Sequence, residues 1–147
     1  MTDWDLRFLT LAEHIAAWSK DPSTQVGCVV VGPDREIRST GFNGFPRGVA
    51  DTPERLHSRD LKYPLICHGE ENAIVQAARI GVSLKGCWAY IYPWSPCSRC
   101  SRLIIQAGVK RVVYPAWVET PERWREDFVL GLSYLSEAGV DTIAWDR

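Results

Sequence analysis

The sequence predicts an α/β domain in which a mixed sheet of about five strands lies between two layers of helices. Three observations predict it. A β-branched run, Val26 to Val31, is followed by a turn and a second extended segment, the pattern of a hairpin. From Gly69 onward, helical and extended segments alternate to the end of the chain. The 147 residues carry no linker, repeat or low-complexity stretch, so 1–147 reads as one domain with room for a real core.

The elements follow in order. Residues 4–19 place Leu6, Leu9, Ile15 and Trp18 at helical spacing, and Lys20-Asp21-Pro22-Ser23 ends that helix. Val26 to Val31 is a buried strand, Gly32-Pro33-Asp34 a turn, and Glu36 to Gly41 the return strand. Phe42 to Tyr63 is a long loop rich in glycine, proline and charge, and loops of that length inside compact domains are usually functional or disordered. A helix over Gly69 to Ile80 sets Ala73, Ile74, Ala77 and Ala78 on one face and stops at Gly81. Trp88 to Tyr92 is a strand, and Pro93 after it, lacking an N–H, demands an edge or a break there. A helix over Cys97 to Ala107 ends at Gly108, and Val109 to Tyr114 is the next strand. Pro121 opens the last helix, to about Ala138, before a final strand over Val140 to Trp145.

Composition narrows the class. No apolar run approaches membrane-spanning length, and the N-terminus lacks a basic, apolar leader, so the expected location is cytoplasmic. Five cysteines, an odd count, argue against a disulfide framework, and Cys28, Cys67 and Cys87 read as buried thiols. A net charge of −1 argues against a protein that tracks long nucleic acid through a basic channel. It leaves room for a small phosphorylated substrate, which needs only one or two local donors. Seven tryptophans read as core or interface anchors, with one available to stack on a base.

Two short segments carry the chemistry: Cys67-His68-Gly69-Glu70 and Pro96-Cys97-Ser98-Arg99-Cys100. Cys97 and Cys100, three apart at the start of a helix, project from one face, and the free N–H groups there favour thiolates. His68 is the third ligand. Three protein ligands leave a tetrahedral zinc one open position, the mark of a catalytic site. Glu70 is the remaining carboxylate, placed to take a proton from water activated at the metal and to protonate first a ring nitrogen and later a departing amine. Glu71, about 100° further round the helix, reads as a solvated or ion-paired carboxylate. His57 and Cys67 are weak candidates for a second metal site.

Around these motifs the chain resembles the cytidine/deoxycytidylate deaminase superfamily, and within it the deoxycytidylate (dCMP) deaminases. The likeness runs through Ser19-Lys20-Asp21-Pro22 with Gln25-Val26-Gly27, and through Gly41-Phe42-Asn43-Gly44-Phe45-Pro46-Arg47-Gly48. It continues through Lys62-Tyr63-Pro64, the His68 segment and Leu103-Ile104-Ile105-Gln106-Ala107-Gly108. The resemblance implies a cytidine deaminase-like three-layer α/β/α fold, with zinc on His68, Cys97 and Cys100 and Glu70 as proton shuttle. It implies that dCMP is deaminated to dUMP for thymidylate synthesis. It also implies that Asn43 contacts the nucleotide, though an Asn-Gly turn is the competing reading, and that Lys20 and Arg47 bring phosphate donors. Tyr63 and Tyr114 could line the pocket or pack in the core. Relatives are homo-oligomers, often hexamers, many switched by dCTP and dTTP with Mg²⁺.

The departures fall on Gly69, where the family usually has alanine, and on Trp94-Ser95, a segment more similar to the polynucleotide cytidine deaminases. Both are expected to reshape the base pocket. Another cytosine nucleotide, 5-substituted dCMP, a nucleoside, a free base such as guanine or an adenosine in tRNA remain alternative substrates. A non-catalytic zinc-stabilised module is the third reading.

Overall fold

A computed structural model describes residues 2–146. Eleven elements follow one another: α1 (Asp3–Ala16), β1 (Gly27–Val31), β2 (Ile37–Phe42), α2 (Pro53–His57), α3 (Arg59–Lys62), α4 (Gly69–Ile80), β3 (Trp88–Tyr92), α5 (Ser98–Gln106), β4 (Arg111–Pro115), α6 (Glu122–Glu137) and β5 (Asp141–Trp145). The five strands form one sheet in the order β2-β1-β3-β4-β5. β1 runs antiparallel to both neighbours, while β3, β4 and β5 are parallel. The mixed three-layer sandwich expected from the sequence is the observed fold. No helix among the described residues is long and apolar enough to cross a membrane.

β1 is buried along its whole length because both faces of the sheet are covered, which is why its sequence is a continuous apolar run. On one face, Phe8, Leu9, Ala12 and Ile15 of α1 pack on Val29, Val31, Tyr90 and Val113. On the other, Ala73, Ala77, Ile104 and Leu135 from α4, α5 and α6 pack on Cys28, Val30, Ala89, Ile91 and Val112. Each fully buried aliphatic side chain contributes roughly 1.5–3 kcal/mol.

Several local expectations change. Helix α1 ends at Ala16, and Leu6 and Trp18 lie outside on solvent; the buried stripe runs through Phe8, Leu9, Ala12, Ile15 and Ala16 instead. Ala78 is exposed, one step beyond the Ala73–Ala77 stripe. Cys67 is only partly buried, while Cys28 and Cys87 are fully so. The segment expected as a bare loop holds α2 and α3. Thr52 caps α2 by accepting from the Arg55 N–H, with Pro53 at the first turn, so Thr-Pro-Glu was a readable start signal. Pro93 follows the last residue of β3, an interior strand, so the break is realised and the edge is not.

The register positions the site. Gly27 pairs with Phe42 on one side and with Tyr92 on the other. The residues just beyond those strand ends, Val26, Asn43 and Pro93 to Cys97, therefore meet at one edge of the sheet. Gly41 lets α4 settle on β2, because a Cβ there would run into the Gly69 carbonyl and the Ala73 backbone.

At the far end of α1, Thr2 and Asp5 form a capping box, and Asp5 also accepts a 2.7 Å hydrogen bond from the Tyr90 hydroxyl. Burial works against the Asp5 carboxylate, but the Thr2 N–H and the Tyr90 and Thr2 hydroxyls hold its pKa below the ordinary value. A depressed carboxyl stabilises the fold above its unfolded pKa of about 3.9, and that contribution is lost as pH falls through the folded value. Tyr90→Phe is therefore expected to lower stability by about 1.5–3 kcal/mol at pH 7, the usual worth of a hydrogen bond to a charged group. The deficit should shrink by pH 3, as read by urea unfolding at the two pH values.

Candidate metal centre and cleft

Two helix starts build the centre. His68 is the residue before α4 and Cys97 the residue before α5, each in extended backbone as an N-cap. Cys100 follows one turn into α5. The His68 Nδ1 lies 3.4 Å from Cys97 Sγ and 3.5 Å from Cys100 Sγ. A tetrahedral zinc with Zn–N of about 2.0–2.1 Å and Zn–S of about 2.3 Å requires N···S edges of about 3.6 Å. The three side chains are thus spaced to hold zinc through Nδ1 and two sulfurs. They form the only cluster of three or more His, Cys, Asp and Glu ligand atoms within such reach among the described residues. His57 is exposed on α2, and Cys67 is engaged through its backbone in a bridge to Gly44, so neither joins a second cluster.

The electrostatics favour a thiolate at Cys97. The neighbouring Cys100 thiol, with help from His68 and the Cys100 N–H, holds the Cys97 thiol well below its ordinary pKa. Cys100 is raised in turn, by Cys97 first and by burial second. Glu70 is 5% exposed in the first turn of α4. Burial pushes its carboxyl up to about 7, against the opposing pull of His68. Glu71, the neighbour, accepts from the His68 N–H at 3.1 Å and lies 3.6 Å from Arg99. It is an ion-paired cap, as its position round the helix suggested.

His68, Glu70 and Cys97 open onto a cleft of about 340 Å³, within the usual range for small-molecule sites. Asn43, Trp94 and Ser95 line it too. The amide of Asn43 is largely spent inside the protein: Oδ1 accepts from the Val26 N–H, and Nδ2 donates to the Thr24 carbonyl and to Asp21. Trp94 donates to the Glu119 carbonyl and packs on Phe128. Gly69 does not line the cleft. A Cβ on it would lie 3.1 Å from Val26 Cγ1, and Val26 does line the cleft, so Gly69 sits behind the wall, against Val26.

The two expected phosphate donors lie elsewhere. Lys20 is exposed and paired with Asp51 at 2.9 Å, and Arg47 is exposed on its loop; neither lines the cleft. The cations on its walls are Lys62, Arg99 and Arg123. Tyr63 is a wall residue in edge contact with Trp124, whereas Tyr114 packs against the core. Lys62, Trp124, Asp127 and Phe128 were not singled out from the sequence. For the last three the signal was available as spacing on one helix face: positions 124, 127, 128 and 131 repeat at helical intervals.

Lys62 is the buried cation of this wall. Its ammonium lies 3.0 Å from Asp21, with both side chains under a tenth exposed. Asp21 also accepts from the Ser23 backbone N–H and the Asn43 side-chain amide, so one carboxylate joins the end of α3 to the two loops bordering the cleft. Removing one partner of such a pair strands the other charge. Lys62→Met is expected to lower unfolding free energy by about 3–5 kcal/mol in urea titrations, and Lys62→Met with Asp21→Asn to lower it by less.

Residues 2–116 match the family model described as the cytidine and deoxycytidylate deaminase zinc-binding region. A deaminase of Aliivibrio fischeri, described as an uncharacterized deaminase in the luxG 3′ region, is 40% identical over 146 residues, covering 99% of this chain and 95% of that one. The deoxycytidylate deaminase of Mus musculus is 40% identical over 117 residues, 76% of this chain, and this chain spans 64% of its length. The crystal structure of the dCMP deaminase of cyanophage S-TIM5 in complex with dCMP and dUMP superposes with a TM-score of 0.79 at 28% identity, over 99% of this chain and 98% of that one.

Proposed function

This chain belongs to the cytidine and deoxycytidylate deaminase family, and we propose that it deaminates dCMP to dUMP with release of ammonia. One observation carries the reading: a zinc-shaped His/Cys/Cys cluster and a buried glutamate near neutrality share the wall of one nucleotide-sized cleft. The full-length likeness to a dCMP deaminase structure supports the choice of substrate.

His68, Cys97 and Cys100 hold the zinc. Bound there, it supplies the Lewis acidity that makes water a nucleophile at neutral pH. Glu70 moves the protons. Its carboxylate, with a carboxyl pKa near 7, accepts a proton from the attacking water and delivers it to the ring nitrogen beside the amino-bearing carbon; it then takes the remaining proton of the added hydroxyl and passes it to the departing amine, which leaves as ammonia. Asn43 Oδ1 already accepts one hydrogen bond and can accept a second, from a sugar hydroxyl. Lys62, Arg99 and Arg123 take the phosphate role first expected of Lys20 and Arg47. Trp94 and Ser95 form the base-side wall, with Gly69 behind Val26.

The same reading makes the enzyme a cytoplasmic homo-oligomer, a hexamer by family resemblance, switched by dCTP and dTTP with Mg²⁺. The exposed Trp18 in edge contact with Phe42 supports an apolar contact surface.

Ammonia release from dCMP, CMP, deoxycytidine and cytidine tests the reaction. dCMP should be turned over fastest, and zinc-loaded protein inactive on all four would sink the proposal in favour of a zinc-stabilised module. Glu70→Gln should bind zinc normally yet lose roughly 10²–10⁴-fold in kcat. Gly69→Ala and Trp94→Leu should each shift the kcat/KM ratio of dCMP to a 5-substituted analogue by roughly 3- to 10-fold. Unchanged ratios in both variants would remove these two residues from the specificity wall.

A further inference from the structure

Helix α6 reaches across to the metal-ligating turn through a single carboxylate. Asp127 Oδ1 accepts from the Ser98 hydroxyl at 2.6 Å, and Oδ2 accepts from the Ser98 N–H at 3.0 Å. Ser98 is the first residue of α5 and directly follows Cys97. Its N–H is one of those a helix start cannot satisfy internally. The N–H and the hydroxyl of Ser98 are therefore both held by one side chain on another helix.

Gly131 lies one turn further along α6, on the same face. A Cβ there would lie 2.7 Å from the Pro96 carbonyl, 2.8 Å from Ser101 Oγ and 2.9 Å from the Cys97 carbonyl carbon. α6 thus presents a double acceptor and a gap, four residues apart, to the segment Pro96–Ser101. Ser101 Oγ, beside this gap, is buried with no hydrogen-bond partner. All of α6 lies beyond residue 116, where the match to the family model ends.

We propose that Asp127 is a positioning residue of the metal centre, fixing through Ser98 the turn that carries Cys97 and Cys100 and so setting how tightly zinc is held. The inference rests on the reading of His68, Cys97 and Cys100 as the zinc site. Partners that orient metal ligands typically govern roughly 10- to 100-fold in metal affinity or activity. Asparagine at 127 can still accept from the Ser98 N–H through Oδ1 and donate to the Ser98 hydroxyl through Nδ2. It keeps the geometry and drops the charge.

The test is zinc affinity of the full chain by chelator competition, with circular dichroism of the zinc-free protein as the folding check. Asp127→Ala should weaken zinc binding by roughly 10- to 100-fold. Asp127→Asn should stay within about threefold of the parent, and Ser98→Ala, which keeps the N–H bond, should fall between. Val129→Ala, exposed on the far side of α6, is the control and should match the parent. If Asp127→Ala does not fold, Ser98→Ala carries the test. Unchanged affinity in the folded Ala variants overturns the proposal. So does an Asn variant as weak as alanine, which would make charge the agent, or a defect confined to KM with zinc affinity intact, which would make Asp127 a substrate contact. Failure of the parent itself to bind zinc would instead remove the metal site on which the inference rests.

Discussion

Two helix N-termini meeting at one point are the constraint on which the rest of the site depends. His68 caps α4 and Cys97 caps α5, and their ligand atoms are 3.4 Å apart. Each helix start carries the equivalent of about half a positive charge and several unpaired N–H groups. Bringing two together crowds several of these donors at one point, and each needs an acceptor there. The chain supplies three such contacts, each on a different N–H. Glu71 takes the His68 N–H, Cys97 the Cys100 N–H, and Asp127 the Ser98 N–H. The donors of the two helix starts are thereby satisfied residue by residue. The sheet register makes the meeting possible by aligning Gly27, Phe42 and Tyr92.

What could be read from the sequence was what depends on short spacing. Cys97 and Cys100 are ligands of one turn, and His68 and Glu70 share one helix start, so local geometry alone aligns them. The strands and helices were legible for the same reason, since each is a run of one periodicity. The cleft walls were not. Lys62 reads as one more charge in a loop, and only folding shows it buried against Asp21, 41 residues away in sequence. Lys20 and Arg47 stood in the motifs that carry the resemblance, yet those motifs serve first as scaffolding. Ser19, Asp21 and Asn43 lock the loops to one another, while Lys20 points to Asp51 at the surface. Trp18 and Leu6 misled because helical spacing says which residues share a face, and not which face is covered.

α6 separates two kinds of information in the chain. The metal ligands and Glu70 lie within residues 2–116, the part matched by the family model. The wall opposite them, Trp124, Asp127 and Phe128, lies outside it. Trp124 closes on Tyr63 and Phe128 on Trp94, so both aromatics that α6 gives the cleft are seated against a residue from the matched part. The reacting groups and the shape of the space around them are therefore carried by different segments. Substitution on α6 can reshape the cleft without touching a ligand, except at Asp127 and Gly131, where the same face also supports the metal turn.

Glu70 and Glu71 show how the backbone, more than residue type, decides chemistry here. Both lie in the first turn of α4, where free N–H groups favour a carboxylate. Glu71 turns toward Arg99 and the His68 N–H and remains partly exposed. Glu70 turns inward, and burial outweighs the helix end and the His68 charge, bringing its carboxyl up to about 7. That burial depends on close backbone approach, with Gly41 admitting α4 to β2 and Gly69 admitting Val26 to the start of α4. A larger residue at Gly41 would lift the helix start toward water and return the Glu70 carboxyl toward its ordinary range. A carboxyl poised near neutral pH is thus made from a common side chain by backbone packing at a glycine that lies outside the cleft.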